Sequence, residues 1–483
     1  MSPRRQLPAA GHGLFRLRGA TLRVDFRSNH RVSSQPTMTT PATLSTEEHF
    51  AKAKQVLPGG VNSSTRVNLA LGTPLFVSQS QGSRITSIDG RELIDMCCGH
   101  GAALLGHAHP AIDQAMRTAM QMGYASVFET PYHEELARLV CEAIPCADRV
   151  RFCSAGSETT LHLIRACRAF TGRNKIIRIE GHFHGYHEMV YIGGHPPQDY
   201  FQHNRDRPYI ESAGIPEEFA RLVVPVPHND PEALRTAIDR HSDDAALVIL
   251  EPVNWNWGAI RCDQEYLRLM RQWTREAGIV LFFDEIQSVF KTRHLTAQAE
   301  YGITPDVTTI GKSLGGGLPL SGFGGKAEIM DLYKPVGNVQ HSGTFNAHLV
   351  PILAGLAFVK ETQKSYFYET LEELSAHFQR GIDRIIESHH LNMIVPVDGP
   401  RFSVIFGRKT PAVRYEDCFC HDPQVMLRFI KGCFDRGVYF HDYGGGPIHH
   451  GFSIQHTKDD LDEVLNVMED TLKEMKREGL IGS

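Results

Sequence analysis

Residues 308–317 read Thr308-Thr309-Ile310-Gly311-Lys312-Ser313-Leu314-Gly315-Gly316-Gly317. The residues leading in, Pro305-Asp306-Val307-Thr308-Thr309-Ile310, are largely apolar and β-branched, as in a short buried strand. A lysine at the end of such a strand is a poor packing choice, because its ammonium must be solvated or used. Two readings compete on this stretch alone. Lys312 forms a Schiff base with an aldehyde cofactor, or it sits on the surface of a glycine-rich turn.

Working outward, residues 149–309 alternate short apolar runs with longer amphipathic ones. Val150–Phe152, Lys175–Ile179, Ala246–Leu250 and Ile279–Phe283 read as strands covered on both faces. That pattern predicts an α/β fold with a mostly parallel sheet. Helical periodicity precedes it at Ala111–Met122 and Glu134–Ala143, and Asp89-Gly90 signals a hairpin. Beyond Glu361 a long helix, Leu371–Ser388, leads into short alternating pieces such as Phe402–Phe406. A last helix spans Asp459–Lys476. The expected division is an N-terminal segment at 46–110, a large domain at 111–360 and a smaller α+β domain at 361–483. The first helix starts at Ser45-Thr46-Glu47-Glu48, a cap followed by acids.

Residues 1–45 differ in kind. Seven arginines face a single acid, Asp25. Such a stretch is an organelle transit peptide, a disordered extension, or sequence upstream of a start at Met38. The expected location is cytoplasmic, or mitochondrial if the stretch is a transit peptide. A net charge of −5 over 483 residues gives no footprint for nucleic acid or an anionic membrane. No apolar run reaches the roughly 18 residues of a membrane span. Ten scattered cysteines argue against a disulfide framework. Cys418-Phe419-Cys420-His421 lacks a second pair at ligand spacing, so no metal site is expected.

Three further stretches carry candidate chemistry. Arg151–Thr160 runs from a strand through Ser154-Ala155-Gly156-Ser157 into a helix. Backbone N–H groups at such a turn can hold a phosphate, although Ser157 as a plain cap is the simpler reading. Gly181-His182-Phe183-His184-Gly185 places an aromatic ring in a sheet-edge loop, either to stack on a flat cofactor or to fill the core. Asp284 ends the apolar run Leu281-Phe282-Phe283, where a bare carboxylate is costly. A protonated pyridine nitrogen would stabilise it and would become an electron sink. Capping the next helix is the alternative. Glu251 is a similar, weaker case, read as a cap or a buried ion pair.

Phosphate turn, ring, acid and lysine thus follow one another along one α/β pattern. From about residue 46 to the C-terminus the chain resembles the class III pyridoxal-phosphate aminotransferases of fold type I. Within that family it is most similar to the glutamate-1-semialdehyde aminomutases. Leu57–Ser63, Gly106-His107-Ala108-His109-Pro110, Ile303–Asp306 with Gly311-Lys312, and Gly315–Pro319 carry the likeness. The resemblance implies pyridoxal 5'-phosphate, with Lys312 as Schiff-base lysine and Asp284 as partner of the ring nitrogen. By the same resemblance Phe183 stacks on the ring and Gly156 and Ser157 cradle the phosphate. Thr344 reaches the phosphate of a neighbouring subunit, which implies a homodimer. Ser63 and Arg66 resemble residues that hold a substrate carboxylate.

Departures bear on the reaction. His100 stands where the aminomutases have tryptophan, a substrate-side position. Gln287, counted with the cofactor contacts, stands where they have methionine, and glutamine there resembles the ordinary aminotransferases. His449 replaces an acid, Phe183 a tyrosine and Ala155 a serine. The stretch His182–Arg207 is unlike the aminomutase gating loop. His100, Trp255, Trp257, Arg401 and His449 are expected to shape the pocket. The expected activity moves an amino group between a carboxylate-bearing amine and a keto acid. Intramolecular amine transfer and racemisation are the alternatives.

Overall fold

The computed structural model describes residues 44–123, 127–204 and 207–482; the N-terminal extension therefore lies outside the described residues. Seven strands form the central sheet: β1 (Arg149–Cys153), β2 (Lys175–Ile179), β3 (Val223–Val226), β4 (Ala245–Leu250), β5 (Val280–Asp284), β6 (Val307–Ile310) and β7 (Ser321–Gly325). Their order across the sheet is β1-β7-β6-β5-β4-β2-β3. Only β7 runs against its neighbours, on both its edges. The other six strands point the same way.

Burial explains why these runs became strands. Every residue of β4 and β5 is buried. Alternate residues serve opposite layers, as the two-residue period of a strand requires. Val248, Leu250, Leu281 and Phe283 join the core on Leu267 and Met270 of the helix Gln264–Glu276. Leu247, Ile249, Val280 and Phe282 join the one on Leu163, Ile164 and Cys167 of the helix Gly156–Thr171. The near-continuous apolar pattern is the mark of a sheet covered on both sides.

The first described segment packs with the C-terminal one. Ser45 and Glu48 form a capping box on the helix Thr46–Ala53. Strands Val77–Gln81, Arg84–Ser87 and Glu92–Asp95 form a sheet whose fourth member is Val438–Tyr439, paired in parallel with the third. Ile94 and Met96 enter the core made by helices Ser365–Ser388, Pro423–Asp435 and Lys458–Arg477. The expected strand over Phe402–Phe406 is two pieces: Arg401–Ser403 pairs with His449–Gly451, and Ile405–Phe406 with Met393–Ile394. No described helix is long and apolar enough to cross a membrane.

All six co-directional strands present their carboxyl ends at one edge, the edge where α/β sheets bind ligands. The turn after β6 is tight. A Cβ at Gly311 would lie 2.7 Å from Ser321 Oγ and 2.8 Å from Ile286 Cδ1. Gly311→Ala is therefore expected to destabilise the protein by about 1–3 kcal/mol. The measurement is the denaturant midpoint, which should fall while the m-value holds.

Candidate active site

Lys312 follows β6 and opens a single turn of 3-10 helix, Lys312–Gly315. Its own φ is +49°, a left-handed conformation that costs a non-glycine residue about 1–2 kcal/mol. Strain of this kind persists only where the surroundings enforce it. Burial and the Arg401 guanidinium lower the ammonium pKa to about 8, against the opposing pull of Glu251 and Asp284. The side chain lines a cavity of about 450 Å³ at the carboxyl edge of the sheet.

Asp284 lines the same cavity from the end of β5. Register explains what holds it. Asp284 pairs with Thr309 across the parallel strands, and Thr309 Oγ1 donates to Asp284 Oδ1 at 2.6 Å. His184 Nδ1 meets Oδ2 at 2.7 Å. The capping alternative does not hold: a turn, not a helix, follows β5, and its one amide contact, from Ile286, is 3.3 Å long. Burial lowers the His184 pKa even against Asp284, so the imidazole is neutral and its Nδ1–H donates.

Gly156, Ser157, Phe183 and Gln287 also face this cavity. The helix begins at Gly156 with Ala155 as its cap residue, so Ser157 lies inside the first turn and caps nothing. Glu158 folds back to accept from the amides of Ser154 and Ala155, at 2.9 and 3.3 Å. The Gly156 and Ser157 amides, at the first helical positions, have no acceptor within the helix. Phe183 is half-buried, with its ring edge-on to Tyr186 at 5.1 Å. Its amide donates to Glu251 Oε1 at 2.8 Å, and Asn256 Nδ2 reaches both oxygens of that carboxylate. Glu251 is therefore neither a helix cap nor half of an ion pair. Burial, then Asp284, raise its pKa to about 8.

The remaining sequence candidates lie at varied depth. Gln287 Nε2 is 2.5 Å from His449 Nε2, and His449 Nδ1 meets Arg401. Arg401 is buried and is not among the cavity-lining residues; His449 links it to Gln287, which is. His100, at φ +58°, bonds Tyr443 and stands close enough to Lys312 for the ammonium to lower its pKa, second to burial. Ser63 and Arg66 are exposed, on a loop tied down where Thr65 O accepts from His441 at 2.8 Å. His441 in turn packs edge-on against His100. Thr344 is exposed on the loop after Val339 and does not line the cavity.

The two tryptophans are a correction. Trp255 is buried with Val253 and Ala259, and Trp257 packs on Tyr415; between them only Asn256 faces the cavity. The loop that carries the pair is closed by a two-residue strand, Val253–Asn254, paired with Ile260–Arg261. Sequence reasoning missed Thr309 and Asn256 as partners of the two acids. The Thr309 contact was accessible from pairing the 280–284 and 307–310 runs in parallel. The Asn256 contact depends on how the loop folds.

A covered α/β sheet with a lysine and a carboxylate at its carboxyl edge defines a fold type I transferase. The aminotransferase class-III family model matches residues 68–472, and the chain belongs to that family. Glutamate-1-semialdehyde 2,1-aminomutase of Methanococcoides burtonii is 36% identical over 425 residues, 88% of this chain and 98% of that protein. An ω-transaminase from Sphaerobacter thermophilus superposes with a TM-score of 0.82 at 27% identity, covering 89% of this chain and 98% of its own. A transaminase with PLP bound superposes at 0.80 and 26% identity, covering 90% and 99%.

The Glu251 carboxyl titrates near 4.3 when unfolded and at about 8 when folded. Between those values the folded state holds the extra proton, so stability falls as pH rises, and the loss is complete above about 8. Glu251→Gln removes that dependence. Its melting temperature relative to the parent is expected to be higher at pH 9 than at pH 5; an equal difference at both pH values would refute the assignment.

Proposed function

We propose that the cavity binds pyridoxal 5'-phosphate and that the protein transfers an amino group from a carboxylate-bearing amine or amino acid to a keto acid. The carrying observation is that Lys312 and a buried Asp284 supported by a neutral histidine line the same cavity. Bound there, the group supplies an aldehyde for the amine and a ring that withdraws electrons from the neighbouring carbon.

The residues present fit it. Asp284, fixed by Thr309 and His184, would hold a proton on the ring nitrogen. The free amides of Gly156 and Ser157 would take the phosphate, and a Cβ at Gly156 would press on Ile286 Cδ1 at 3.3 Å. Phe183 offers a ring face for stacking. Lys312, its pKa near neutrality, is the group that takes a proton from the substrate carbon and returns it. Gln287, held by His449 and Arg401, orients a polar edge of the site. Arg66 is the bidentate partner for a substrate carboxylate, with Ser63 and His100 beside it. Thr344, exposed and away from this cavity, is assigned to the phosphate of a second subunit, so the working unit is a homodimer.

A second reading, intramolecular amine transfer, is favoured by the name of the Methanococcoides relative. Two features support a separate acceptor. Gln287 is one. The other is the anchoring of the 182–204 stretch: buried Arg178 donates to the carbonyls of His182, Val190 and Ile192, and Gly181 N donates to Gly194 O at 2.6 Å. Such a stretch is poorly suited to opening and closing as a gate.

Steady-state assays separate the two. An aminotransferase consumes donor only when a keto acid is added, whereas an aminomutase turns over on one substrate. Borohydride is expected to fix the cofactor to Lys312, and Lys312→Ala to lose the adduct and more than the roughly 10²–10⁴-fold that a proton-transferring group contributes. Cofactor uptake by the apoprotein should rise with the neutral amine, with its half-point at pH about 8 and a plateau well above it. No donor and no adduct on Lys312 would overturn the proposal.

A further inference from the structure

Cys153, His162 and His341 converge outside the cavity. One ligand atom of each lies within 4.8 Å of the others. They come from three elements: the last residue of β1, the helix Gly156–Thr171, and the loop after Val339. Cys153 Sγ is 3.4 Å from His341 Nε2. Asn346 Nδ2, which can only donate, points at the same nitrogen from 3.1 Å. That nitrogen is therefore unprotonated, and its lone pair already accepts from Asn346, a contact that an incoming ion would displace. The two imidazole rings meet edge to face at 4.5 Å. His162 Nδ1 is buried with no hydrogen-bond partner among the described residues. Phe323 of β7 floors the group, its ring 5.9 Å from His162 and 5.1 Å from His341.

We propose that these three side chains bind a zinc-class transition-metal ion, with a fourth position open to water. One thiolate and two imidazoles form a borderline-soft donor set, suited to zinc, cobalt(II) or nickel rather than to magnesium or calcium. Zinc, at about 2.3 Å from sulfur and about 2.0 Å from nitrogen, holds tetrahedral ligand atoms roughly 3.3–3.6 Å apart. The Cys153–His341 spacing already meets this, and side-chain rotation of His162 closes the rest. On binding, the Cys153 S–H bond breaks, its proton leaves to solvent and a metal–sulfur bond forms, with no change of oxidation state. The ion would tie two segments together. Cys153 leads directly into the Ser154–Ser157 turn, and His341 lies three residues before Thr344. Sequence spacing hides the set, because Cys153 and His341 are 188 residues apart. The Cys418–His421 motif is a poorer candidate: both nitrogens of His421 are taken by backbone groups, Phe406 N and Gly445 O.

The test uses the full-length holoenzyme, stripped of metal by chelator under reducing, anaerobic conditions and titrated with cobalt(II) alone. The expected result is one equivalent per chain, with the visible bands of four-coordinate cobalt and a thiolate charge-transfer band. Zinc should displace both. Cys153→Ser and His162→Phe should weaken binding more than about 100-fold, beyond what loss of a group outside the coordination sphere costs. His162→Phe keeps a ring against Phe323, so it decides the matter if Cys153→Ser does not fold. Absence of the bands in the parent protein, or their persistence in His162→Phe, overturns the proposal and leaves a packed thiol–imidazole pair.

Discussion

The structure depends on a carboxylate held dry at the end of a strand. Asp284 finishes a run in which every residue is buried. An ionised group there is tolerable only with partners that stay in place. Two elements supply them. The parallel neighbour brings Thr309 into register, and the loop after β2 brings His184. The same sheet edge carries Lys312 in a left-handed conformation, two residues past the end of β6. Parallel strands force this convergence, since each one ends where its neighbours end.

Around that pair the protein concentrates groups whose charges oppose one another. Lys291 is buried beside Ser313, which its Nζ meets at 3.1 Å, and burial and the nearby cations depress its pKa. Arg401 and Lys312 lie close by, and Glu251 and Asp284 pull the Lys312 amine the other way. Each group's protonation answers to the others, and burial, then Arg401, brings the Lys312 pKa down to about 8.

Much of this was legible in advance. Runs such as Ala246–Leu250 are apolar at every position, and only a sheet with two covered faces buries every position. The strand-end acid and the glycine-flanked lysine are chemically conspicuous, because neither belongs in a core without a use. Other roles were misread for physical reasons. Ser157 looks like a cap because serine at a strand-to-helix turn usually is one, but the helix already starts at Gly156, which puts Ser157 inside the first turn. Trp255 and Trp257 look like pocket walls by position, but large apolar rings gain more by burial against Val253, Ala259 and Tyr415.

By itself the sequence determined the α/β class, the alternation of apolar strands with amphipathic helices, the family, and the identity of Lys312 and Asp284 as the residues that need explaining. These are local properties: periodicity, composition and residues out of place. Tertiary structure alone decided which distant groups meet. The contact of His184 with Asp284, the Arg401–His449–Gln287 chain, and the gathering of Cys153, His162 and His341 all join residues far apart in the chain. Such contacts are set by how strands register and how loops close over the sheet edge, and no spacing along the chain encodes them.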